Sequence, residues 1–340
     1  MAYHTLIKRQ VDGVKYRQLG NTELEVSELS FGTWAIGGAW GATNDTEALK
    51  GLEAAMDAGV NFFDTADVYG DGHSEELIGK ATKGKEDKIH VASKFARGGD
   101  INDPNTYSRE SVTNYLDATL KRLGRERLDL YQIHCPPIDV LKDGSVFQVL
   151  DDLQAQGKIR HYGVSVETVE EGMECLHYPN VKALQVIYNI FRQKPAERLF
   201  PQAKKQGVGI LTRVPLASGL LTGKYTKETT FAEDDHRNFN RDGDAFNVGE
   251  TFAGLPFQKG VELSTSLQWI KEERGTMAQA ALRWILDNDD VTCVIPGFRN
   301  EKQVSDSLET VSVPSFSREE QEKLTKFYLE DVEPNIRGGY

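Results

Sequence analysis

Short apolar runs rich in β-branched residues alternate along this chain with longer stretches whose apolar residues recur every three or four positions. Runs of the first kind begin near Leu29, Val60, Ile89, Leu128, Ile159, Ala183, Val208 and Val291, and they predict eight strands. Amphipathic helices are predicted between them, most clearly over 46–58 and 109–123. Ser108 is placed to cap the second of these and Gly124 to stop it. The pattern repeats over 146–156, with Gly157 as its stop. Ahead of the first run, the residues from Tyr16 to Val26 predict a hairpin around Gly20-Asn21.

Strict alternation of strand and helix implies parallel strands joined by crossover helices. Eight such units close into a (β/α)8 barrel, an α/β fold. The 340 residues suit one large barrel, and no linker-like break divides them, so 1–340 is expected to be a single domain with an N-terminal hairpin. An open doubly wound sheet is the alternative, but Gly32-Thr33-Trp34-Ala35-Ile36-Gly37-Gly38 lacks the Gly-x-Gly-x-x-Gly spacing of that fold. Two stretches stand outside the repeat. Residues 226–256 are polar and weakly periodic; following the seventh strand, they are expected to lie over the active face. The loop-like tail 333–340 is expected to reach that face as well.

Hydrophobic residues make up 39% of the chain and charged ones 27%, enough for a sizeable core in a soluble protein. A net charge of −12 argues against a nucleic-acid binder or a ligand of anionic membranes. No apolar run reaches spanning length and no N-terminal apolar leader is evident. Cys135, Cys175 and Cys293 are few, odd in number and widely spaced, so neither a disulfide framework nor a zinc cluster is expected, and a cytoplasmic location is the simplest reading. A globular barrel needs no partner to cover its core, which leaves monomer and homo-oligomer both open.

Candidate chemistry lies at the ends of predicted strands two, three and four. Asp64 and Tyr69 belong to Asp64-Thr65-Ala66-Asp67-Val68-Tyr69-Gly70, Lys94 ends the run from Ile89, and His134 ends the run from Leu128. Each has an ordinary explanation when taken singly: a turn or cap residue, a packing residue, a strand-end charge, a buried structural histidine. Lys94 would also suit a Schiff-base lyase. Strand ends of a barrel converge on one pocket, however, and together the four make a proton-relay site. A phenol whose ordinary pKa is near ~10 releases its proton more readily beside a cation, and a carboxylate can hold that cation in place.

Several segments carry a resemblance to the aldo-keto reductase family over nearly the whole length. They are Gly32-Thr33-Trp34, the Asp64 to Gly70 segment, Gly157 to Ser165, Pro215 to Lys224, and Ile295-Pro296-Gly297-Phe298-Arg299. The chain looks most like the bacterial and plant branch with long loops, which also resembles potassium-channel β subunits. The resemblance implies reduction of aldehydes or ketones by NADPH, reversibly, without a metal. Tyr69 would be the general acid, Lys94 would lower its pKa, Asp64 would fix the ammonium and His134 would orient the carbonyl. Gly32, Thr33 and Trp34 would line the nicotinamide edge, and Ser165 and Gln185 would bind its carboxamide. Pro215, Leu216, Ser218 and the backbone as far as Leu220 would clasp the pyrophosphate. Gly297, Arg299, Gln303, Asp306 and Ser307 would hold the adenosine end, with Arg299 on a 2′-phosphate. This chain departs from the family pattern at Val166, where Asn is usual, and at Arg213, where a stacking Tyr is often found; the planar Arg213 guanidinium would stack on the nicotinamide in its stead and add positive charge beside the ring. It departs again at Gln303, where many members carry Arg, so some use of NADH is possible. Trp34, Tyr69 and Phe95 suggest an aromatic-lined pocket for a small carbonyl substrate. An NADP-binding redox sensor or scaffold with slow turnover is the competing function.

Overall fold

In a computed structural model of the chain, residues 7–11, 13–38, 40, 41 and 43–340 are described, the first five by their backbone alone. Eight parallel strands follow one another round a barrel: β4 (Phe31–Gly32), β5 (Phe62–Asp64), β6 (His90–Phe95), β7 (Leu128–His134), β8 (Ile159–Ser165), β9 (Val181–Ile187), β10 (Gly209–Arg213) and β11 (Cys293–Val294). Each begins within two residues of the start its apolar run predicts. The seam between β4 and β11 is bridged in parallel at Leu29–Val294 and Gly32–Gly297, so the barrel is nearly closed. All seven residues of β7 are buried. Parallel strands covered on both faces lose the in–out alternation and read as unbroken apolar runs, which is why these strands are legible.

The hairpin expected ahead of the barrel is present as β2 (Val14–Gln18) paired antiparallel with β3 (Glu25–Ser27), and β1 (Ile7–Val11) adds a third strand beside β2. It is a plug. Leu19, Leu24 and Val26 pack with Phe62, Ala92, Leu130, Ala183, Leu211, Cys293 and Ile295, which come from the strands and the segment after β11. The three hairpin side chains are at most 1% exposed, and burial of that kind is worth about 1.5–3 kcal/mol per side chain. This small interior cluster closes one mouth of the barrel and leaves the other for chemistry.

Helices stand where the periodicity puts them. Arg109–Leu123 begins at Ser108, whose side chain accepts from Ser111 N at 3.3 Å, and stops at Gly124 in the left-handed region with φ 64°. Asp45–Asp57 is capped by Asn44, and Ser145–Ala155 is followed within two residues by Gly157 at φ 75°. Phe95 corrects an expectation. It is buried against Tyr131 and Tyr115 in the outer layer, with ring centroids 4.7 and 6.4 Å away, and does not line the pocket. Neighbouring residues of a strand face opposite sides, so Lys94 and Phe95 cannot both point inward.

Residues 226–256 fold over the open mouth. They carry a one-turn helix (His236–Phe239) and two 3-10 turns (Val248–Glu250 and Phe252–Gly254). The tail clasps them from outside: Arg337 donates to the carbonyls of Gly254, Leu255 and Arg241 and pairs with Asp242. Arg192 donates to Ala253 O at 3.2 Å and lies over the Tyr340 ring. Among the described residues no helix is long and apolar enough to cross a membrane.

Candidate active site

Tyr69 reaches the mouth because its loop is pinned on two sides. Thr33 Oγ1 donates to Asp64 O at 2.9 Å, and Ser74 Oγ donates to Thr33 Oγ1 at 2.7 Å, tying the end of β5 to the segment after β4. Behind the tyrosine, Gly37 and Gly70 meet backbone to backbone. A Cβ on Gly37 would lie 2.7 Å from Tyr69 O, and one on Gly70 would collide with Gly37 O. Gly70 also has φ 64°, a conformation glycine adopts without strain.

Lys94 is the centre of the group. Its Nζ is 2.6 Å from Asp64 Oδ2, 2.8 Å from Thr65 O and 3.2 Å from Tyr69 OH, and it is fully buried. The His134 ring meets the Tyr69 ring edge-on at a centroid separation of 6.0 Å. All four expected residues therefore converge, three of them on the cavity wall and Lys94 behind Tyr69. Burial opposes the charge on Lys94, but Asp64 and Tyr69 outweigh it and hold the ammonium above its usual pKa. For Tyr69 burial dominates: it pushes the phenol upward, Lys94 pulls it down and Asp64 pushes it up, with a net upward shift. The expected acidification by Lys94 is present as a contribution and outweighed as a sum. Burial, together with Arg97 and Lys94, holds His134 well below its usual value, so the imidazole is neutral.

One cleft of about 1070 Å³ contains both the Tyr69–His134 end and the segment after β11. It is lined by Gly32, Thr33, Trp34, Gln185, Arg213, Pro215, Leu216, Ser218, Gly297, Arg299, Gln303, Asp306 and Ser307. Ser165 and Leu220 are not on its wall. Ser165 is fully buried with its hydroxyl 3.6 Å from Cys135 Sγ, and Cys135 is the residue that lines the cleft there. The Leu220 side chain is buried in the core. Several lining groups are already engaged. Ser218 Oγ donates to Glu250 O and accepts from Phe252 N, both at 3.1 Å. Gln303 Oε1 accepts from Arg299 N at 2.7 Å, and Asp306 pairs with Lys302 at 2.7 Å. The helix Glu301–Leu308 starts beside Arg299, capped by Asn300.

A second cluster has little signal in the sequence. Arg97, just past β6, pairs with Glu250 at 2.6 Å and Glu167 at 3.1 Å. Arg213 pairs with Glu167 at 3.1 Å, stands 3.6 Å from Glu250, and donates to Val166 O at 3.3 Å. Glu167 follows the conspicuous Ser165-Val166 pair and could have been suspected; Glu250 sits in a featureless polar loop. Burial pushes Glu167 up to about 7, with Arg213 opposing and Glu250 assisting. Burial also opposes ionisation of Glu250, but Arg97 and Arg213 prevail and hold it well below the usual carboxylate range. Donor atoms of Cys135, Glu167 and Glu250 lie within 4.8 Å of one another, yet two guanidiniums already compensate those carboxylates.

The loop and the segment after β4 together present an aromatic roof. Trp34 stacks near Tyr69 at 6.1 Å and meets His236 at 4.6 Å, Trp40 at 5.6 Å and Phe246 at 6.0 Å. Trp40, Phe246 and Arg97 stand in no motif of the sequence, and all three line the cleft.

A barrel whose open mouth joins a buried Lys–Asp pair, a tyrosine on the cleft wall, a neutral histidine and a long cleft defines a class of carbonyl oxidoreductases. The Aldo/keto reductase family profile matches residues 28–329, and the chain belongs to that family. It is 31% identical over 318 residues to the aldo-keto reductase YhdN of Bacillus subtilis, covering 92% of each chain. It is 30% identical over 317 residues to a probable voltage-gated potassium channel subunit beta of Oryza sativa, covering 88% of this chain and 92% of that one. Its structure resembles the glycerol dehydrogenase AKR11B4 of Gluconobacter oxydans with a TM-score of 0.75 and 30% identity, covering 97% and 99% of the two chains.

Proposed function

We propose that this protein reduces aldehydes or ketones to alcohols with NADPH, reversibly, with Tyr69 as the general acid. The observation that carries the reading is the Lys94 ammonium, placed between Asp64 Oδ2 at 2.6 Å and Tyr69 OH at 3.2 Å. The cleft suits a nicotinamide dinucleotide on two grounds. Its volume exceeds what one small carbonyl compound needs, and Arg299 stands beside a helix start, a setting that favours a phosphate. Gln185 would hold the carboxamide, Leu216 and Ser218 the pyrophosphate, and Arg299, Gln303, Asp306 and Ser307 the adenosine. A reduced nicotinamide supplies the hydride.

The protein's own part is acid catalysis and exclusion of water. Tyr69 is protonated in the resting site because burial holds its phenol up. Neutral His134 offers a second polar group beside it, so a carbonyl oxygen near Tyr69 OH is polarised by both. As the alkoxide takes the phenolic proton, the resulting phenolate is met by Lys94, and Asp64 keeps that ammonium in place. Trp34, Trp40 and Phe246 make the substrate end apolar. Three free, buried cysteines suit work in a reducing cytoplasm, with the barrel acting as one unit.

A second reading, an NADP-binding sensor with slow turnover, draws support from the loop at 226–256. Glu250 anchors it to Arg97 and the tail clasps it, and a cover held this firmly slows ligand exchange. Multiple-turnover oxidation of NADPH by a simple aromatic aldehyde separates the two. Sustained turnover supports the reductase. A single burst stoichiometric with protein, followed by a near-halt, supports the sensor.

A further inference from the structure

Between the residue assigned to the carboxamide and the Asp64–Lys94 pair lies a glutamine that neither role uses. Gln132, on β7, is fully buried, and its Nε2 donates to Asp64 Oδ1 at 3.1 Å. From β9, Gln185 Nε2 donates to the same oxygen at 2.7 Å and also reaches Gln132 Oε1 at 3.3 Å. The other carboxylate oxygen, Oδ2, faces Lys94 at 2.6 Å. Asp64 thereby fixes the direction of both amides. An ionised carboxylate only accepts hydrogen bonds, so the atom that each glutamine turns toward Asp64 is its NH2 group.

The consequence passes outward. With Gln132 turned this way, its carbonyl faces Gln185 and takes that residue's second N–H. Both N–H groups of Gln185 are then committed inward. Its carbonyl Oε1 receives no donor from the protein among the described residues, and Gln185 lines the cleft whereas Gln132 does not. A ligand amide offering an N–H therefore meets an acceptor. Without Gln132, Asp64 would still hold one N–H of Gln185 at 2.7 Å, but the amide could pivot about that single bond and swing its carbonyl away from the cleft.

We infer that Gln132 is a positioning residue: by taking the second N–H of Gln185 it steadies the polarity that Asp64 gives that amide toward the nicotinamide carboxamide. The inference rests on the dinucleotide reading of the cleft. Its test is a set of dissociation constants for NADPH and for 2′-phospho-ADP-ribose, which lacks the nicotinamide. They are measured on wild type, Gln132→Leu and Gln132→Glu. The leucine variant should bind NADPH about three- to tenfold more weakly, the worth of one oriented hydrogen bond, and the nicotinamide-free ligand as wild type does. The glutamate variant, while protonated, keeps a donor for Asp64 and an acceptor for Gln185. Its NADPH affinity relative to wild type should match at low pH and fall as pH rises and the new carboxyl ionises beside Asp64. Equal losses for both ligands in Gln132→Leu, or an unchanged NADPH affinity in both variants, would overturn the inference. Wild-type protein that binds neither ligand would refute the dinucleotide reading itself, and this inference with it.

Discussion

At the scale of single residues, the site is governed by which charges burial tolerates. Lys94 is kept charged by Asp64, and Tyr69 is kept neutral by its surroundings. Lys94→Met should slow turnover in both directions, because a phenolate forming at Tyr69 would lose its counter-charge. It should leave NADPH affinity nearly unchanged, since Lys94 does not line the cleft. Equal effects on affinity and turnover would mean that Lys94 is chiefly structural. Arg299 belongs to this scale too. It lines the cleft in an otherwise acidic protein, where a 2′-phosphate would gain most from a cation. A charge-assisted contact is worth about 1.5–3 kcal/mol, so Arg299→Ala should weaken NADPH by roughly ten- to a hundredfold and NADH much less. Parallel titrations that show equal losses would place Arg299 on the part common to both dinucleotides.

At the scale of elements, the loop 226–256 and the barrel are joined through Arg97 and Glu250, residues 153 positions apart. Removing one partner of a buried ion pair costs up to about 3–5 kcal/mol. Glu250→Ala should lower the melting temperature and open the loop to limited proteolysis; a variant as resistant as wild type would show that the tail clasp alone suffices. Glu167 adds a pH dependence. Its carboxyl is raised from an ordinary 4.5 to about 7 in the folded protein. Between those values the native state binds more protons than the unfolded chain, so stability is full below about 4.5 and declines as pH rises toward about 7. Half-buried Asp67, also raised to about 7, contributes in the same window, so the comparison is made against Glu167→Gln. Wild type should lose melting temperature relative to that variant across this window. Parallel curves would show that Glu167 ionises normally. This scale also marks what the sequence could carry. Strands, caps and the four residues at successive strand ends are legible because they rest on local period and on the geometry of a barrel. The Arg97–Glu250 pair rests on a contact that no local pattern encodes. Phe95 faces away from the cleft because strand alternation sends the neighbour of an inward lysine outward, which residue type alone does not reveal. A motif marks Ser165, whereas Cys135, 3.6 Å from its hydroxyl and on the cleft wall, stands in no motif.

At the scale of the whole molecule, the hairpin plug and the loop divide the barrel into a closed end and a covered working end. The plug fills the closed end of the barrel with apolar side chains, and the loop and tail make a roof above Tyr69. A ligand that binds only the folded form at a hundredfold excess over its dissociation constant adds about 2.7 kcal/mol of stability. The cofactor should therefore raise the melting temperature, and substrate turnover should depend on the acid beneath it. The most direct measurement combines the two in wild type and Tyr69→Phe: NADPH affinity by fluorescence, and turnover with a simple aromatic aldehyde. The phenylalanine variant should keep its NADPH affinity and lose roughly 10²–10⁴-fold in turnover, the usual worth of a general acid. Turnover near that of wild type would contradict the role of Tyr69 and, with it, the chemistry assigned to this site.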